Sequence, residues 1–176
     1  MSENRRKCVF VLGPESSGST LIARIISANL NQHDFAEYNG VNFNAAHFRH
    51  RVCHRSLPSA NPNVPDWPDI DEWLPKVKDF QTYFVLCTRD INISERSRLV
   101  RGFSQSRQKL QDDSQRAKRI IIDIMGRELD YYLWSYETFM YLGKDYLRLL
   151  NRFLGIEDDF MPELRDGNQK FLLPVQ

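Results

Sequence analysis

The chain has 176 residues, with 24 Lys+Arg against 23 Asp+Glu and a formal net charge of +1. That is enough for one domain burying about two-thirds of its unfolded surface, and the balance of charge excludes bulk attraction to nucleic acid or to an anionic membrane surface. The apolar run that stops at Gly13 is too short to span a bilayer or to serve as a signal core, so a single domain over residues 1–176 is expected, cytoplasmic, with a truncated lumenal domain as the alternative. The three cysteines, Cys8, Cys53 and Cys87, have no metal-ligand spacing and read as buried free thiols in a reducing compartment.

In chain order, residues 7–12 form a short apolar strand, and a helix is expected over 19–30 with Leu21, Ile22, Ile25, Ile26 and Leu30 on its inner face. Residues 31–44 read as loop, with room for a short strand at 35–38. A basic, histidine-rich stretch at 47–55 ends in Val52-Cys53, a short strand closing at His54. The four prolines between Ser59 and Asp69 mark an irregular loop, and Asp69 is placed to cap a helix confined or kinked by Pro75. Residues 82–88 are the clearest strand, a nearly continuous apolar run suited to a parallel strand buried on both faces. Helices follow over 93–102 and 106–125, the second with Leu110, Ala117, Ile120, Ile121 and Ile124 inward. Residues 131–135 read as another buried strand, and 144–154 as a last helix ended by Gly155. Alternating strands and helices argue for an α/β domain with a small central parallel sheet and helices on both faces. Ligands in such sheets bind beyond the carboxyl ends of the strands.

Three stretches carry chemistry, and all fall at expected strand ends. Gly13 and Gly18 enclose four residues and Ser19-Thr20 follow, which is the frame of a phosphate-binding loop with serine where its lysine belongs. Backbone N–H groups in the curled loop and in the first helical turn still favour an anion. Without the lysine, a nucleoside-phosphate kinase is disfavoured. Next, Arg89 stands at a strand end with Ser97 eight positions on, a guanidinium fork plus a hydroxyl that suits a phosphate dianion. Third, His54 precedes Arg55-Ser56-Leu57-Pro58. With His47 and His50 it can form a solvated basic face, and the 47/50/54 spacing has no carboxylate or cysteine set that would make it a metal site.

In their order along the chain these stretches resemble the PAPS-dependent sulfotransferases (PAPS is 3′-phosphoadenosine 5′-phosphosulfate). Leu133-Trp134-Ser135-Tyr136-Glu137, followed by a helix ending Phe153-Leu154-Gly155, is similar to that family's strand–Tyr-Glu and Phe-Leu-Gly helix. Asn168-Gln169-Lys170-Phe171 is similar to a C-terminal segment that lies near the nucleotide. The resemblance implies a P-loop-type three-layer fold. Ser16, Ser17, Gly18, Ser19 and Thr20 would hold the 5′-phosphosulfate, Arg89 and Ser97 the 3′-phosphate, Lys170 would add a nearby cation, and His54 would be the general base, with His47, His50 or no histidine at all as alternatives. It implies PAPS as co-substrate, no metal, a small-molecule or carbohydrate acceptor offering a hydroxyl or amine, and room for a homodimer. Residues 31–47 and 56–80 match least and would form the acceptor side, with Trp67, Trp73 and Phe80 either walls of that site or core.

One departure stands out. The family places a lysine or arginine just inside the loop, where this chain has Ser16 with Glu15 beside it. The leaving-group role would then move to Arg24, Arg51 or Lys170. Alternatively the protein binds the nucleotide with slow or no turnover. An acid in an anion loop is expected to turn outward or to pair with a cation.

Overall fold

A computed structural model describes residues 5–31, 35, 49–59, 61–102 and 106–172. The expected short strand at 35–38, Phe35 apart, and His47 lie outside the described residues. In chain order the elements are β1 (Lys7–Pro14), α1 (Ser19–Asn31), β2 (Arg51–Leu57), α2 (Ile70–Lys76), β3 (Gln81–Thr88), α3 (Ile91–Val100), α4 (Arg107–Gly126), β4 (Asp130–Ser135), α5 (Tyr136–Leu142), α6 (Lys144–Leu154) and α7 (Gln169–Leu172).

The four strands form one parallel sheet in the order β2-β1-β3-β4. Strand pleating sends successive side chains to opposite faces, and both faces of the two inner strands are covered. Val9 and Val11 of β1 join Tyr83, Val85 and Cys87 of β3 in a core with Ile22, Ile25 and Ile26 of α1, Phe139 of α5 and Leu147 and Leu150 of α6. Cys8, Phe10 and Leu12 join Phe84 and Leu86 on the other face, under Trp73 of α2 and Ala117, Ile121 and Ile124 of α4. Phe10 lies stacked on Trp73 and on Phe84, at centroid distances of 5.2 and 5.1 Å. All three cysteines are free and buried.

Local chemistry sets the helix starts. Asp69 accepts from Glu72 N–H at the head of α2, Asp90 from Asn92 and Ile93 N–H at the head of α3, and Ser106 from Lys109 N–H at the head of α4. Gly155 ends α6 in the left-handed conformation, with φ 60° and ψ 45°.

Three expectations are corrected. β2 does not close at His54; it runs to Leu57, so His54 is mid-strand, opposite Val11. Apolar content at 52–53 hid the rest of the strand, because Arg55 and Ser56 read as polar. β4 is an edge strand whose alternate residues Tyr132 and Trp134 pack in the core, while Tyr131 and Leu133 on its other face are 36% and 46% exposed. Trp73 and Phe80 belong to the α2/α4 core, and Trp67 packs against that core beneath the Arg116 guanidinium. None of the three walls the cleft over the loop that follows β1.

The order β2-β1-β3 means that the chain leaves β1 to one side for β2 and returns past it to β3. The crevice at such a switch point opens beyond the carboxyl ends of β1 and β3. Gly13 is what lets the two ends approach. A Cβ there would lie 2.7 Å from Cys87 Cβ and 2.5 Å from Ser17 Oγ. Gly13→Ala is therefore expected to destabilise the fold by about 1–3 kcal/mol through overpacking, read as a lowered urea midpoint. An unchanged midpoint would show that the strand ends tolerate separation.

Candidate anion-binding site

The loop after β1 begins as a four-residue turn, closed by Ser17 N–H donating to Pro14 carbonyl at 3.0 Å. Its third residue, Ser16, has φ 67°, the left-handed region that a type II turn requires at this position and that non-glycine residues avoid. Gly18 follows at φ 82°, and its missing side chain admits the ring of Tyr136, whose Cδ2 would lie 2.5 Å from a Cβ. Ser19 and Thr20 open α1, so their N–H groups belong to the first turn, which has no intrahelical acceptors. These donors and the positive end of α1 face the switch-point crevice.

Arg89 follows directly on β3 and turns onto this loop. Its Nη1 donates to the Ser16 carbonyl at 2.6 Å, its Nε donates to Asn168 Oδ1 at 2.8 Å, and its Nη2 donates to the same oxygen. The guanidinium carbon lies 4.5 Å from the Tyr136 ring centroid. Asp90 does not pair with it, because that carboxylate caps α3. Three of the five guanidinium N–H groups are thus engaged by protein.

A cleft of about 390 Å³ lies over these groups. Of the residues expected at a site, it is lined by Ser16, Gly18, Ser19, Thr20, Arg89 and Lys170. Arg24 and Arg101 line it too, giving four cationic side chains against one acid, Glu15. Arg51 is elsewhere: it begins β2 at the opposite end of the sheet, with its guanidinium over Phe80. A larger groove of about 660 Å³ lies beyond Phe171, where Asp90 caps α3 and Arg96 donates to the Phe171 carbonyl.

Ser17 and Ser97 do not line the cleft. Both are buried, and neither hydroxyl has a hydrogen-bond partner among the described residues. The serine of α3 that reaches the loop is Ser94, whose Oγ donates to the Glu15 carbonyl at 3.0 Å. Glu15 is 9% exposed; burial holds its carboxyl above the usual range, while Arg98 and Arg101 pull it back down. Arg98 is itself bonded to Asp113 at 2.8 Å.

His54 sits behind the loop. Its Nε2 is 2.9 Å from Ser19 Oγ and 3.4 Å from Thr20 Oγ1. Burial, aided by the Arg24 and Arg55 charges, lowers its pKa to about 4. The ring is therefore neutral at pH 7 and orients the two hydroxyls at the head of α1. His50 is at the other end of the sheet, accepting from Lys7 N–H at 3.1 Å.

Asn168, Tyr136, Ser94 and Arg101 are site neighbours that sequence reasoning left without a role. A signal existed for one of them: Tyr136 heads the helix that β4 feeds. No protein-family model matches the chain, and no curated protein matches it. Among the described residues no helix is long and apolar enough to cross a membrane, and no three His, Cys, Asp or Glu side chains are grouped to hold a metal ion.

The His54 environment has a pH signature. Its folded pKa lies below the ordinary 6.5, so between those values the unfolded chain binds the extra proton and stability rises with pH. The full contribution is present above pH 6.5 and is lost as pH falls toward 4. The total is about 3 kcal/mol. Urea unfolding at pH 7 and pH 4.5 is expected to show a smaller acid-induced loss in His54→Gln than in the parent chain. Equal losses would place His54 in ordinary solvent.

Proposed function

We propose that the cleft binds PAPS and that the chain is a PAPS-dependent sulfotransferase of the P-loop type, acting on a hydroxyl or amine of a small-molecule or carbohydrate acceptor. The observation that carries this reading is the convergence of the loop from Ser16 to Thr20, the Arg89 guanidinium and Lys170 on one cleft at the sheet's switch point. A lysine-free loop beside a strand-end arginine suits a phosphosulfate and a separate phosphate better than a metal-bound triphosphate.

The residues fit such a nucleotide. The loop N–H groups and α1 would take the phosphosulfate. Arg89 has two N–H groups beyond the three already engaged, so it can accept a phosphate without releasing Ser16 or Asn168. Arg24, Arg101 and Lys170 line the cleft where the loop itself supplies no cation. Transfer would break the bond between sulfur and the bridging oxygen, form one from sulfur to the acceptor atom and release the acceptor proton to a base. His54 is the base implied by the resemblance; it does not line the cleft, and Ser19, which does, lies 2.9 Å from its Nε2.

A second reading, nucleotide binding with slow or no transfer, is favoured by two specific facts. Ser16 stands where the leaving-group cation would be, and Nε2 of His54 is engaged by Ser19 in a ring of weak basicity. Loss of one positioned charge costs on the order of a hundredfold in rate.

Adenosine 3′,5′-bisphosphate (PAP) is expected to raise the melting temperature, and ATP with magnesium is not. The reverse result would replace this reading with a nucleotide kinase. Because Arg89 braces the loop as well as facing the cleft, Arg89→Ala should abolish the PAP-induced shift; a retained shift would remove Arg89 from the site. With labelled PAPS and an acceptor panel, transfer that falls at least tenfold more than PAP affinity does in His54→Ala is expected of the first reading. PAP binding without transfer to any acceptor selects the second.

A further inference from the structure

Residues 166–171 close one side of the cleft, and their fastenings converge on the anion site. Gly167, Lys170 and Phe171 line the cleft. Gly167 N–H donates to the Tyr136 hydroxyl at 2.9 Å, and the same ring lies under Arg89 and against Gly18. Asn168 is 5% exposed and occupies the centre of this strap. Its Oδ1 receives two Arg89 bonds, its Nδ2 donates to Glu137 at 3.4 Å, and its carbonyl accepts Phe171 N–H at 2.8 Å. One guanidinium therefore bonds the strap through Asn168 and the anion loop through the Ser16 carbonyl.

We propose that Asn168 is a positioning residue that makes docking of the strap and occupation of the cleft by an anion one linked equilibrium, each favouring the other. The sign follows from the donor count. An anion held by the remaining Arg89 N–H groups fixes the guanidinium in the orientation that Asn168 accepts. Lys170 rides on the strap, so its attraction for the anion exists only in the docked arrangement. Linkage is reciprocal: the factor by which the anion tightens the strap is the factor by which the strap tightens the anion. The inference rests on the cleft being an anion site, as the proposed function has it, and not on which nucleotide fills it.

Hydrogen exchange of the C-terminal peptide, measured by mass spectrometry on the full chain, tests it with PAP and with inorganic phosphate as separate probes. In the parent chain PAP is expected to slow exchange of the Gly167 and Phe171 amides on the order of tenfold. Asn168→Ala is expected to speed exchange without ligand, to weaken PAP by a similar factor and to reduce the slowing at saturating PAP to the part that Lys170 supplies. Phe171→Ala releases the strap without touching Arg89, so it should weaken PAP by up to the factor by which PAP slows exchange in the parent chain. Undiminished slowing in Asn168→Ala, faster exchange on binding, or unchanged affinity once the strap is released would each overturn the proposal. If phosphate slows exchange while PAP does not bind, the coupling stands and the nucleotide assignment falls. If neither anion alters exchange, the coupling falls.

Discussion

The structure around the cleft depends on one side chain spanning two carboxyl-terminal strand ends. Arg89 leaves β3 and reaches the carbonyl of Ser16, in the loop that leaves β1. A half-buried guanidinium that bonds a backbone carbonyl and a side-chain amide, and also covers an aromatic ring, has its orientation fixed from three sides. Fixed orientation is what an anion site needs, since charge-assisted hydrogen bonds are geometrically demanding. The same bond sets the shape of the loop, because the Ser16 carbonyl it holds belongs to the residue in the left-handed conformation.

Support for that side chain comes from distant parts of the chain. Tyr136 supplies the ring beneath it, Glu137 accepts from Asp90 N–H at 3.0 Å and from the Asn168 amide, and Asn168 brings in the C-terminal segment. β4 reaches this position because it pairs with β3 in register, with Thr88 opposite Ser135. The edge strand thus delivers the head of α5 to the cleft. Its outer face holds nothing in place there, which accounts for Tyr131 and Leu133 remaining half exposed.

Much of this was legible in residues alone, for physical reasons that differ by element. β1 and β3 are buried on both faces, so their apolar runs are unbroken. The cap at Asp69 is local hydrogen-bond chemistry, readable from residue type. The loop was visible because two glycines at fixed spacing answer a steric demand. What stayed hidden depends on direction. No local signal says that α3 turns Ser94 toward the loop while Ser97 goes into the interior, or that His54 points behind the loop while remaining within a longer strand. Asn168 was visible as part of a motif, but its bond to Arg89 joins residues 79 positions apart.

The positive φ of Ser16 bears on what this position can become. A side chain that starts from a left-handed backbone carries an energetic penalty, about 1 kcal/mol or more for an ordinary L-residue. Glycine and asparagine relieve it; a lysine or arginine does not. Inherited change at residue 16 is therefore channelled toward small or amide side chains, and positive charge for this pocket is more readily recruited from helix α1 or from the C-terminal turn than restored to the loop itself.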